Sequence, residues 1–154
     1  MNYSQKQTGS AVLAGIFLLL CTGCSDPPPD EAALRAALDE AVAALEARDL
    51  ATVMARVDDD FELDRKEGNL GYQATRTLLM HSLRRYQDIS ITLTNIQVRI
   101  DPVSLDEADV TFNALLTAGR GWLPEDGNLY RVSSRWIHDD RWRVQHLESR
   151  RVLE

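Results

Sequence analysis

Apolar residues recur at intervals of three and four along the first half of the chain, which predicts amphipathic helices. Asp30 is placed to cap the first predicted helix and Asp49 the second, shorter one. A third helix is predicted after a turn that is bracketed by Gly68 and Gly71. The three apolar stripes consist of Leu34, Leu38, Ala41, Val42 and Leu45, then Leu50, Val53, Met54 and Val57, then Tyr72, Leu79, Leu83 and Tyr86.

After Asp88 the apolar period changes to two, which is typical of β-strands. In the first of these strands the phase slips between Leu93 and Ile96, so we expect a bulge near Thr94 and Asn95. Helices followed by a long, bulged antiparallel sheet predict an α+β fold, with the three N-terminal helices packed on one face of the curved sheet. The other predicted strands cover 61–65, 108–116, 128–138 and 141–152, and 119–127 is predicted as a loop.

The register of the last hairpin decides which of its residues face the helices. A register that pairs Trp136 with Trp142 gathers the apolar side chains on one face, whereas a two-residue turn would mix Arg131 and Arg135 with them. Burial therefore favours the first register. It predicts a candidate pocket on the inner face, made of Tyr130, Trp136, Trp142, His146 and Glu148. It leaves a candidate interface on the other face, made of Arg131, Arg135, Arg143 and Arg151.

The N-terminus has the pattern of a secretory signal peptide. Lys6 precedes an apolar run over 11–20, which is too short to span a bilayer, and small residues follow it. The stretch from Leu20 to Cys24 resembles the lipobox of bacterial lipoproteins. That resemblance implies cleavage after residue 23, a lipidated Cys24 and a proline-rich tether over 24–29 before a domain over 30–154. The alternative is an ordinary secreted protein with an accidental cysteine.

The resemblance also implies a location. Ser25 after the lipidated cysteine favours periplasmic anchoring to the outer membrane, and Asp26 keeps the inner membrane open as the alternative. The membrane is then one partner of the protein, held through the lipid on Cys24.

Composition excludes several classes of protein. The chain has 154 residues and a formal net charge of −7, which suits one acidic domain. An acidic balance argues against nucleic acid as a partner, because phosphate binding needs a basic face. Two cysteines cannot form a disulfide framework or a four-cysteine zinc site.

Two short sequences carry a family resemblance. Ala47-Arg48-Asp49-Leu50 lies between two predicted helices, and Trp142-Arg143-Val144 follows a charged turn. With the order of elements over 30–152, the chain resembles the nuclear-transport-factor-2-like (NTF2-like) superfamily, also described as SnoaL-like or cystatin-like cones. The resemblance implies helices that close a cone-shaped sheet, a cavity for a small ligand or an active site, and frequent dimers. Neither sequence is a catalytic motif.

The candidate pocket is open to two interpretations. His146 could act as a base that Glu148 orients, with Tyr130 as the proton donor, or these groups merely satisfy one another at the rim of the cone. The acidic stretch over 58–64 lacks the glycine and terminal glutamate of a calcium loop, so no metal site is predicted.

A non-catalytic role is therefore favoured: binding of a small apolar or mixed ligand, or support of an envelope protein complex, with a homodimer or an envelope protein as a possible partner. The alternative is a dehydratase- or isomerase-type enzyme. No cofactor is expected, and the catalytic residues stay unassigned.

Overall fold

Helices and a single sheet form two layers in the computed structural model, which describes residues 30–119 and 124–152. The helices are α1 (Glu31–Glu46), α2 (Leu50–Ala55) and α3 (Tyr72–Arg85). The strands are β1 (Val57–Asp64), β2 (Leu70–Gly71), β3 (Asp88–Ile100), β4 (Glu107–Gly119), β5 (Pro124–His138) and β6 (Trp142–Arg151). The predicted signal peptide, Cys24 and tether, and the part of the predicted loop over 120–123, lie outside the described residues.

Both predicted helix caps are present. A carboxylate oxygen of Asp30 accepts a hydrogen bond from the amide of Ala33 at 2.6 Å, and Asp49 accepts one from the amide of Thr52 at 3.1 Å. The Thr52 hydroxyl also donates to Asp49, and these bonds lower the pKa of the Asp49 carboxyl. None of the helices in the described ranges is long and apolar enough to cross a membrane.

The sheet has the strand order β2-β1-β6-β5-β4-β3. Its neighbours are antiparallel except for β1 and β6, which run parallel. The predicted bulge in β3 is confirmed: the register with β4 shifts between Thr94 and Gln97, and Asn95 has a positive φ of 56°. An asparagine tolerates that conformation better than most residues, which suits it to this position.

The first strand was mispredicted in extent. Val57 and the three aspartates that follow it belong to β1 rather than to the end of α2. Asp58 is buried and its Oδ2 lies 3.5 Å from Arg143 Nε, which compensates the buried charge. The short strand β2 and the extension of β5 back to Pro124 were also not predicted.

The core lies between the helices and one face of the sheet. It includes Leu34 and Leu38 of α1, Phe61 of β1, and Trp136 and Trp142 of the last hairpin. Along β4 the residues alternate between buried and exposed, with Ala108, Val110 and Phe112 in the core. The confirmed architecture is therefore α+β, with helices on one face of a curved sheet and, in the described part of the chain, an opposite face that carries none.

Candidate functional site

A bulge in β6 decides where the predicted site residues lie. Trp136 pairs with Val144 and Arg135 pairs with His146, so Gln145 has no partner on β5. The predicted pairing of Trp136 with Trp142 is therefore wrong. Because side chains alternate along a strand, the extra residue moves everything after it to the other face. His146 and Glu148 consequently lie on the opposite face of the sheet from the predicted inner face.

The helix side of the hairpin keeps the three aromatic residues of the predicted pocket. Trp136 and Trp142 are 3% and 2% exposed and belong to the core, and Tyr130 packs against it. The indole nitrogen of Trp136 donates to the hydroxyl of Ser134 at 3.0 Å, and that hydroxyl donates to the carbonyl of Val110 at 3.1 Å. The two tryptophans therefore serve the packing of the helix side.

The opposite face of the sheet, called the open face below, receives the polar residues. A hollow of about 660 Å³ lies over its centre. Its charged side chains come from four neighbouring strands, so no single stretch of sequence encodes it. The hollow is lined by Gln97, Val98, Arg99, Asp109, Val110, Thr111, Ser133, Ser134, Arg135, His146 and Glu148.

One row of paired residues crosses the open face with alternating charge. Arg99 pairs with Asp109, Asp109 with Arg135, and Arg135 with His146. The Arg135 Nε lies 3.3 Å from Asp109 Oδ1, and both side chains are more than half exposed, so this ion pair contributes little to stability. The row therefore presents charges of both signs to solvent rather than an arginine face.

The row continues into β1 through a pair of parallel strands. Glu62 pairs with His146, and Asp64 pairs with Glu148. His146 Nε2 lies 3.6 Å from Asp64 Oδ2. Glu62 and Asp64 belong to the acidic stretch over 58–64, for which no metal site was predicted. Their contact with His146 was not predicted, because a parallel pairing between distant strands leaves no local signal.

The four arginines of the predicted interface do not form one surface. Arg131 and Arg135 are exposed on the open face. Arg143 lies beside Asp58 and donates to Asp139, whereas Arg151 pairs across the sheet with Tyr130 on the helix side. Arg150 takes the place that was predicted for Arg151: it pairs with Arg131 and donates to Glu148 at 2.8 Å.

The bulge had a sequence signal that was not used. The apolar positions of β6 are Trp142, Val144 and Leu147, so the period of two breaks at the last step. The same three-residue step from Leu93 to Ile96 predicted the bulge in β3. Leu147 packs against the core, as that rule requires.

The comparisons with known proteins concern the whole fold. No family model matches the chain, and no curated protein matches it by sequence. Among solved structures, a proposed dehydratase of the NTF2-like family from Streptomyces avermitilis superposes with a TM-score of 0.70 and 18% identity, covering 80% of this chain and 96% of that one. A protein with a cystatin-like fold from Caulobacter vibrioides superposes with a TM-score of 0.65 and 13% identity, covering 79% and 89%.

The fold is the NTF2-like cone. A hexachlorocyclohexane dehydrochlorinase from Novosphingobium barchaimii is also similar, with a TM-score of 0.63 and 17% identity over 79% of this chain and 86% of that one. The superpositions support the fold alone, and identities this low leave activity to be argued from the residues of this chain.

Proposed function

We propose that this protein is a lipid-anchored component of the bacterial cell envelope whose NTF2-like domain binds a small polar ligand, without catalysis, on its open face. The hollow over the centre of the sheet carries the proposal. Its volume of about 660 Å³ lies within the roughly 300–1,000 Å³ range of small-molecule sites. The anchor rests on the lipobox resemblance around Cys24.

The lining favours a ligand that carries charges of both signs. Arg99 and Arg135 offer guanidinium groups, and Asp109 and Glu148 offer carboxylates across the same hollow. Guanidinium groups can bind a carboxylate or phosphate through two hydrogen bonds, which fixes its orientation. A wholly apolar ligand, one of the kinds considered from the sequence, would cover these charged groups without forming hydrogen bonds to them and is disfavoured.

The enzyme alternative depended on an inner-face arrangement that the bulge at Gln145 removes. A general base and a proton donor must both reach the substrate from the same cavity. Tyr130 packs against the core on the helix side, while His146 and Glu148 line the hollow on the open face. The geometry therefore favours binding over the proposed acid–base pair.

The test is to purify the full-length protein in detergent from native membranes and to identify co-purified small molecules by mass spectrometry. Arg135→Gln removes a charge from the hollow, and Arg84→Gln removes one from the exposed end of α3 as the matched control. We expect the wild type and the control to retain the same polar compound and Arg135→Gln to lose most of it.

Equal ligand content in wild type and Arg135→Gln would overturn the proposal, and so would the absence of any bound compound. A wild type that instead carries a stoichiometric envelope protein, lost on Arg135→Gln, would replace ligand binding with the scaffold role.

A further inference from the structure

Three side chains with metal-binding atoms meet on the open face where β1 and β6 run parallel, and Glu148 occupies a neighbouring position. The register sets Glu62 beside His146 and Asp64 beside Glu148, and all four project from the same face of the sheet. The ligand atoms of Glu62, Asp64 and His146 all lie within 4.8 Å of one another. Among the described residues, this is the one group of three or more histidine, cysteine, aspartate or glutamate side chains whose ligand atoms lie this close together.

The spacing of the imidazole and its neighbouring carboxylate suits a transition metal. Zinc bonds to histidine nitrogen and carboxylate oxygen are about 2.0–2.2 Å long, which puts two ligands of a tetrahedron roughly 3.3–3.6 Å apart. The observed distance between His146 Nε2 and Asp64 Oδ2 is 3.6 Å. The ligand atom of Glu62 lies within 4.8 Å of the other two, and its side chain is exposed.

The charges of the cluster call for a cation. Asp64 and Glu148 are like charges on paired positions, an arrangement that destabilises a sheet unless something lies between them. Arg150 donates to Glu148, which leaves Asp64 without an arginine partner in the described ranges. The second oxygen of Asp64, Oδ1, is shielded from solvent and has no hydrogen-bond partner there. A shielded carboxylate oxygen without a donor is costly.

The orientation of Glu62 is supported from outside the cluster. The side-chain amide of Asn69, just before β2, donates to Glu62 Oε1 at 2.9 Å. Such a bond leaves the other carboxylate oxygen to bind a cation, and outer partners of this kind orient the ligands of metal sites.

We propose that Glu62, Asp64 and His146 bind one divalent transition-metal ion of the Zn²⁺ class on the open face. Three protein ligands leave at least one coordination position for water or an exogenous group. A mixed set of one imidazole and two carboxylates is suited to such ions more than to Ca²⁺, which prefers oxygen ligands alone. The metal site shares His146 with the hollow, but it does not depend on a small ligand bound there.

The experiment titrates Zn²⁺ into the chelator-treated, full-length protein in detergent by calorimetry. The variants His146→Gln and Asp64→Asn are each matched by a control elsewhere, His81→Gln on α3 and Asp88→Asn on β3. We expect one Zn²⁺ per chain, a loss of affinity of at least about tenfold for each cluster variant, and wild-type affinity for both controls. Visible absorption of the Co²⁺-loaded protein reports the coordination directly, and its bands should disappear in His146→Gln.

Circular dichroism checks that each variant folds. If one of them does not, Glu62→Gln serves instead, because this exposed side chain lies outside the core. No Zn²⁺ binding by the wild type would overturn the proposal. Unchanged affinity in the folded cluster variants, or an equal loss in the controls, would overturn it as well.

Discussion

At the scale of single residues, one buried hydroxyl holds the last hairpin to its neighbour. Ser134 accepts from the indole of Trp136 and donates to the carbonyl of Val110, so it satisfies two buried groups at once. Ser134 is 5% exposed and therefore shielded from bulk solvent. These two hydrogen bonds explain how a serine comes to occupy a core position in an otherwise apolar stripe.

Ser134→Ala should therefore destabilise the protein by about 1–3 kcal/mol, because the Trp136 indole nitrogen loses its acceptor while it stays buried. Urea denaturation of the full-length protein measures the change. The neighbouring variant Ser133→Ala is the control. Its side chain is exposed on the open face, and its free energy of unfolding should stay within about 0.5 kcal/mol of the wild type. Equal losses for the two serines would contradict this account.

Residue types also explain what the sequence could predict about the site. Tyr130, Trp136 and Trp142 were correctly placed on the helix side, because large apolar surfaces must be buried. His146 and Glu148 were wrongly placed with them, because their polar side chains do not reveal which face they occupy. Only their position on either side of Leu147, which packs against the core, indicates the face they occupy.

At the scale of elements, the two bulges show that local periodicity is informative when every step is counted. The slip in β3 was recognised and the bulge was confirmed near Asn95. The slip between Val144 and Leu147 follows the same rule, yet the hairpin was predicted as regular because its register was chosen to gather the apolar side chains on one face of an unbroken strand. The helices and long strands were predictable for the same reason, since their signals lie within a few residues.

Deletion of Gln145 tests the role of the β6 bulge. Without the extra residue, His146 would follow Val144 directly, so a regular strand would keep His146 and Glu148 on the open face and Leu147 in the core. We therefore expect the deletion to cost only about 1 kcal/mol, since no charged group enters the apolar layer. Chemical denaturation measures it, with Gln145→Ala as the control that keeps the residue count and should cost less than about 1 kcal/mol. A loss of about 3 kcal/mol or more for the deletion alone would contradict this account and show that the bulge itself stabilises the strand.

At the scale of the whole molecule, the fold separates packing from surface chemistry. The helices and the helix side of the sheet hold the apolar core, and the open face holds the charged hollow and the proposed metal site. The sequence predicted these two layers, because each strand alternates in polarity. It could not predict that β1 lies beside β6, since the attraction between two distant strands leaves no mark in either one.

The proposed anchor also belongs to this scale. Cys24→Ser should abolish incorporation of labelled palmitate into the protein, because the acceptor thiol is gone. Cys21→Ser is a close control: it changes a cysteine three residues away, and labelling should persist. Labelling that survives Cys24→Ser would contradict Cys24 as the acceptor, and a wild type without label would leave the secreted alternative.

The parallel pairing of β1 and β6 has a consequence for the order of folding. Val57 meets Val144, so a strand that follows the first two helices completes its sheet only when the last long strand is in place. Closing so large a loop costs conformational entropy. Folds dominated by such distant contacts therefore form more slowly than folds dominated by local contacts. Until β6 arrives, β1 and β5 both present open edges, which can pair with other chains. The ten residues of β6 therefore cover both edges when they pair, and this protects the folding domain from aggregation.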